Sequence, residues 1–145
     1  MYRKVLVPLD GSKRAEAILP HAEELARRCN ARIDLIQVVE YKFTDDPLAP
    51  HPDLNHEQHL KQARSYLTAI QNGLRAKKIE TRMHVVEGPV VASIINLAHR
   101  ESVDLIALAS HGRGGLARVY YGSVAAGILQ RVDRPLLLIR SRASK

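Results

Sequence analysis

Residues 4–40, KVLVPLDGSKRAEAILPHAEELARRCNARIDLIQVVE, decide how this chain folds. A short apolar run, RKVLV at 3–7, ends at Pro8, and LDGS then turns the chain. Beyond the turn Ile18, Leu19, Ala22, Leu25 and Ala26 recur at helical spacing. That spacing predicts a helix from Lys13 to Arg28 with one apolar face, and Ser12 is placed to cap it. RIDLIQVVE at 32–40 is β-branched and of strand length, so the segment is one strand–helix–strand unit.

The same alternation continues outward. Residues 41–55, YKFTDDPLAPHPDLN, are rich in Pro and Asp without periodicity and read as a surface loop. From His56 to about Lys77, Leu60, Ala63, Leu67, Ile70 and Leu74 stand three and four apart, the stripe of a helix packed on a sheet. ETRMHVVE reads as a third strand, and Gly88 and Pro89 punctuate the chain before the helix VVASIINLAHR. DLIALAS forms a fourth strand, a last helix begins near Ser123, and PLLLIR at 135–140 closes as a fifth strand. Near-continuously apolar strands alternating with helices predict a parallel sheet covered on both faces. We therefore expect a doubly wound α/β fold, one unit over residues 1–145, with five parallel strands in the order 3-2-1-4-5. Ligands in such sheets bind beyond the carboxyl ends of the strands where the winding reverses, which directs attention to PLDGS and SHGRGG, after strands one and four.

Composition narrows the partners. The chain has 145 residues, 46 % of them apolar, enough for one core, yet its longest apolar runs fall far short of the roughly 18 to 20 residues that cross a membrane. MYRKVLVPLD lacks the long apolar region of a signal peptide, so the expectation is a soluble, cytoplasmic protein. A lone Cys29 supports neither an internal disulfide nor a thiolate metal site and reads as structural. The net charge of +7 suits an anionic partner. Lys and Arg are nevertheless scattered in pairs, at 27–28 and 77–78, and aromatics are 4 % of the chain, which favours a solvated basic surface over a nucleic-acid patch.

Residues 109–125, ASHGRGGLARVYYGSVA, invite three phosphate-loop readings. A Walker A loop needs a Gly-Lys pair, and the chain contains none. Gly112, Gly114 and Ala117 fit a dinucleotide fingerprint, but the acid expected some 20 residues on is missing, since Asp133 precedes the last strand. The third reading places Gly112 on one side of an anion and Gly122 with Ser123 on the other, where the start of the last helix offers N–H donors and a favourable dipole. Arg113 adds a charged donor beside Gly112. Asp10, a carboxylate at the end of strand one beside the switch point, is placed to accept from sugar hydroxyls or to hold Mg²⁺.

This segment resembles the nucleotide-binding stretch of the universal stress proteins, with its pattern G-x2-G-x9-G-[ST], and KVLVPLDGS, IDLIQVVE, DLIALASHGRGG and RPLLLIR resemble that family's landmarks in order along essentially the whole chain. One departure is Ala109, which stands where the pattern has its first glycine; at a positive φ it would cost on the order of 1 kcal/mol. The resemblance implies that Gly112, Gly122 and Ser123 hold phosphates, with Val124 and Ala125 lending main-chain donors. It further implies that Asp10 serves the ribose and metal–phosphate region, that Pro8, Leu9 and Val38 enclose adenine, and that Ala109 and His111 line the path between. The implied cofactors are ATP, or ADP or AMP, with Mg²⁺. The implied role is a regulatory or protective module in the stress response, read by protein partners and dimeric through residues 135–140, an apolar edge that pairing would hide.

Each residue also has a plainer reading. Asp10 is a common turn acid before glycine, Ser123 an N-cap, Gly112 and Gly122 turn residues, and Arg113 a solvated arginine. Gly127 inside the last helix points to close packing and not to a ligand. His51, His56 and His59, with Asp53 and Glu57 nearby, lack structural-zinc spacing and default to a solvated loop. His84, between Met83 and Val85, reads as a packed or edge histidine. No Ser/His/Asp constellation assembles, and no general base for water exists beyond Asp10, so any ATP hydrolysis is slow. The competing functions are a hydrolase or phosphotransferase using Asp10 and His111, and a nucleotide-free interaction protein with a basic surface.

Overall fold

A computed structural model describes residues 1–40, 52–110 and 122–141. Five strands, β1 (Lys4–Pro8), β2 (Arg32–Val39), β3 (Thr81–Glu87), β4 (Leu105–Ser110) and β5 (Leu136–Arg140), form one parallel sheet in the order β3-β2-β1-β4-β5. The helices are α1 (Lys13–Glu16), α2 (Leu19–Cys29), α3 (Pro52–Ala76), α4 (Val90–Arg100) and α5 (Gly122–Arg131). The doubly wound architecture expected from the strand–helix alternation is the one observed.

The two faces of the sheet follow from the period of two along each strand. Val5 and Val7 of β1 with Ile33 and Leu35 of β2 pack under Ile18 and Ala22 near and on α2 and Leu67 of α3. Leu6 and Ile36, one residue out of phase, pack under Ile94 and Leu97 of α4 and Ile128 of α5. Every residue of β4 is buried, as a central strand covered on both sides must be. The carboxylate of Asp104 accepts from the main-chain N–H groups of Arg3 and Lys4 at 2.7 and 2.8 Å, tying the approach to β4 to the start of β1.

Two expectations about helices need correction. The helix expected over Lys13 to Arg28 is two helices with a break at Ala17 and Ile18, where the N–H groups bond three residues back, to Arg14 and Ala15. Pro20 causes it: without an N–H it cannot bond the carbonyl of Glu16, and its ring crowds that carbonyl in a continuous helix. At the second position of α2 the same proline is acceptable. The helix expected from His56 begins instead at Pro52, so the aperiodic stretch 41–55 gives its last four residues to α3.

Candidate functional site

The site arises where the sheet changes winding direction. β1 pairs with β2 over all five of its residues, but with β4 only at Val5–Leu105 and Leu6–Ile106. The N–H of Leu9 donates to the carbonyl of Ile36, whereas the carbonyl of Lys4 accepts from the N–H of Asp104. Main-chain groups alternate sides along a strand, so the nitrogen of Pro8 faces β4 at the level where β4 has ceased to pair. A proline therefore sits in the central strand without costing a ladder bond.

Beyond Leu6 the strands part around a cavity of about 300 Å³. Its floor is Pro8, Leu9, Ile36, Val38, Leu108 and Ala109 from the strand ends. Val90 and Ile94 of α4 form one wall, Asp10, Arg14 and Ala15 a second, and Gly122, Ser123, Val124 and Ala125 at the start of α5 a third. Nine residues singled out in the sequence thus converge on one cleft: Pro8, Leu9, Asp10, Val38, Ala109, Gly122, Ser123, Val124 and Ala125. His111, Gly112 and Arg113 lie outside the described residues. The sequence reading missed Arg14, Ala15, Ile36, Val90, Ile94 and Leu108. Most of these sit at apolar positions indistinguishable from core, but Arg14 is a charged residue in the first turn of the helix that follows Asp10, and its charge was available as a signal.

Local backbone explains why these residue types stand here. Gly122 opens α5 with φ of 78°, where a side chain would cost about 1–2 kcal/mol, and it is buried. Ala109 raises no such difficulty. It lies in β4 paired with Ile139, and the positive-φ non-glycine residues among those described are Asn30, Lys78 and Ser102, so alanine in place of the motif's first glycine carries no strain.

Asp10 organises the opposite wall. One oxygen, Oδ1, accepts from the N–H of Ser12 at 2.9 Å and from its hydroxyl at 2.6 Å, while Oδ2 accepts from Nη2 of Arg14 at 3.2 Å. Ser12 in turn caps α1, its Oγ accepting from the N–H of Ala15 at 3.1 Å. Gly11, with φ of 87°, makes this tight turn possible. Asp10 and Arg14 are the charged side chains lining the cavity among the described residues, and they form an ion pair.

This geometry bears on Mg²⁺. A magnesium site needs carboxylate oxygens free to enter an octahedral shell. Here Asp10 is the one carboxylate lining the described cavity, both of its oxygens are engaged, and a guanidinium stands 3.2 Å from one of them. As folded, this residue set does not fit the metal.

The remaining polar side chains singled out above lie elsewhere. His84 is a packed strand histidine: its Nε2 lies 3.0 Å from Oδ1 of the fully buried Asp34, whose Oδ2 accepts from Nε of Arg32 at 3.0 Å. Burial pushes the Asp34 carboxyl up, but hydrogen bonds from His84 and Arg32 outweigh it and hold the group below the ordinary 3.8. Glu101 joins this network through Arg32 at 3.4 Å. Asp34, Glu101 and His84 are close enough for a cation, yet Arg32 already supplies the positive charge between the two carboxylates. His56 is not in a solvated loop but on α3, its Nε2 3.1 Å from the Glu87 carboxylate. Cys29 packs half-buried against the α2 face of the core. Among the described residues no helix is long and apolar enough to cross a membrane.

Fold and cleft together describe a doubly wound α/β protein with an apolar-floored pocket at the switch point of its sheet, edged by the first residues of a helix. The chain belongs to the Universal stress protein family, whose sequence model matches residues 1–140. Among curated relatives, Universal stress protein A homolog 1 of Coxiella burnetii is 30 % identical over 88 % of this chain and 89 % of its own length. Universal stress protein MJ0577 of Methanocaldococcus jannaschii is 27 % identical over 99 % and 98 %. The solved structure of MJ0577 superposes with a TM-score of 0.85 at 24 % identity, covering 99 % of both chains, a likeness of fold. Other structures of this fold include a universal stress protein in complex with cAMP (TM-score 0.62, 22 % identity, 97 % and 98 % covered) and one from Archaeoglobus fulgidus in complex with dAMP (0.62, 19 %, 95 % and 98 %).

Proposed function

We propose that this chain binds an adenine nucleotide, ATP or its di- and monophosphate, and acts as a nucleotide-dependent regulatory or protective module of the stress response. The observation that carries the reading is the cavity itself, which brings the end of β1 at Pro8–Asp10 together with the start of α5 at Gly122–Ala125. In this reading Pro8, Leu9 and Val38 enclose the base, Asp10 faces the ribose, and Ala109 and His111 line the path from base to phosphates. The phosphates lie against the N–H groups of Gly122 to Ala125 and against Gly112 and Arg113. A helix start and an arginine within one cleft favour a phosphorylated ligand. The complexes of relatives with cAMP and dAMP agree with that chemistry. Occupancy would be read by a protein partner through the closed or open state of the cleft.

The test is to denature freshly purified protein, separate what is released and quantify nucleotide per chain, then to titrate stripped protein with ATP. Near-stoichiometric nucleotide, or saturable binding lost in Gly122→Val, is expected. Absence of both would overturn the reading in favour of a nucleotide-free interaction protein.

We further propose a cytoplasmic, single-unit protein that pairs with a second copy through β5. Leu136 to Ile139 stand half-buried on a strand hydrogen-bonded within the sheet to β4 alone, and an apolar edge of this kind is a liability when unpaired.

A further inference from the structure

We infer that Arg14 takes the place of a divalent cation in this cleft, so that the chain binds nucleotide without a metal. The inference rests on the nucleotide reading above and concerns how phosphate charge is neutralised. Asp10 is the residue a bound Mg²⁺ would use, and it is already neutralised: Ser12 donates twice to Oδ1 and Arg14 donates to Oδ2. The pair is held by the chain's own geometry, because Asp10 stands just before the turn at Gly11 and Arg14 is the second residue of α1, four residues on. A metal entering here would have to displace the guanidinium from Asp10 and then remain close to a like charge.

Arg14 is suited to the task. Its side chain is 29 % exposed, it lines the same cavity as Gly122 and Ser123, and among the described residues its guanidinium bonds Asp10 alone. A planar fork with five N–H donors can keep one on a carboxylate and direct others to phosphate oxygens. The apolar floor formed by Ile36, Leu108 and Ala109 offers no competing acceptor side chain. Asp10 thus positions Arg14 and Arg14 meets the anion, which also predicts that AMP competes with ATP.

The experiment is calorimetric titration of ATP, and separately AMP, into nucleotide-stripped full-length protein, in EDTA and in excess MgCl₂. In wild type the ATP dissociation constant in EDTA should lie within about threefold of that in magnesium, since the guanidinium supplies the charge-assisted contacts either way. Arg14→Gln should weaken binding in EDTA about tenfold or more, a typical consequence of losing a hydrogen bond to a charged group. Magnesium should then restore part of the loss, because Asp10 is released. Arg14→Lys keeps the charge but not the fork and should fall between, still without needing metal. Wild-type binding that weakens tenfold or more in EDTA would overturn the inference and leave the nucleotide reading intact. So would Arg14→Gln matching wild type in EDTA. No binding in either buffer would overturn both. Circular dichroism checks the fold of the variants, and the wild-type comparison decides the question even if a variant does not fold.

Discussion

Gly127→Ala offers a measurable test of how α4 and α5 are held against each other, and thereby of what sets one side of the cleft. A Cβ built on Gly127 would lie 2.7 Å from Cγ2, 3.3 Å from Cγ1 and 3.5 Å from Cβ of Val91, so the whole valine side chain faces the glycine. In an unobstructed helix alanine is more stable than glycine by about 1 kcal/mol. Overpacking a tight contact costs roughly 1–3 kcal/mol, and a β-branched neighbour, stiff at χ1, relieves little of it. The net expectation is that Gly127→Ala destabilises by up to about 2 kcal/mol, or roughly 2–4 °C in Tm per kcal/mol for a chain of this size. Removing the obstacle reverses the sign. In a Val91→Ala background the same substitution should stabilise by about 1 kcal/mol, giving a coupling of about 1–3 kcal/mol across the pair. The assay is urea unfolding of wild type, both single variants and the double variant, with m-values compared so that each midpoint shift reads as stability. Additivity within about 0.5 kcal/mol, or full stabilisation of wild type by Gly127→Ala, would refute the close contact. A confirmed coupling would mean that the helix bearing Val90 and the helix bearing Ser123, two walls of the cavity, are set in place by a missing methyl group.

Three further outcomes are expected. Asp34→Asn should destabilise by about 3–5 kcal/mol in chemical unfolding, because it leaves Arg32 and His84 facing an uncharged partner in a buried network. Since Asp34 titrates lower folded than unfolded, its contribution is complete above pH 3.8 and is lost as pH falls further. The variant should therefore lose part of the wild-type acid slope, and an unchanged slope would count against the network. Ser12→Ala removes both the α1 cap and the hydroxyl hydrogen bond to Asp10, while the main-chain N–H bond to Asp10 remains, for a cost of about 1 kcal/mol in Tm-derived stability, and no change in melting would contradict the capping geometry. Leu137→Lys should convert a sedimenting dimer to monomer if β5 is the interface; it is a cleaner probe than substitution of Arg134, which bonds the carbonyls of Ala98 and Val103 within the chain.

The strand ladder was legible because its signal is local: Val5 to Val7 and Leu105 to Ala109 are apolar runs too short for helices and too continuous for one-sided strands, and Ile33 to Ile36 is broken only by Asp34. The cleft was legible in Gly122, which opens α5, and in Asp10, which stands just past the end of β1. What escaped was of two kinds. Pro20 was overlooked inside a good helical period, although periodicity tells which face is buried and says nothing of a missing N–H. Ile36, Val90, Ile94 and Leu108 line the cavity from three elements distant in sequence, and an isoleucine beneath a ligand reads the same as one beneath a helix. Ala109, a departure from a motif, became harmless once its place in β4 was known, because a pattern of letters carries no φ angle.

Pro8 has one more consequence. With no hydrogen on its nitrogen, Pro8 removes the donor that would carry the pairing of β1 with β4 past Leu6, so the two strands gain less by zipping together when the cleft is empty. The opening between them is therefore favoured by covalent structure, and less of a ligand's binding energy is spent on prising the sheet apart.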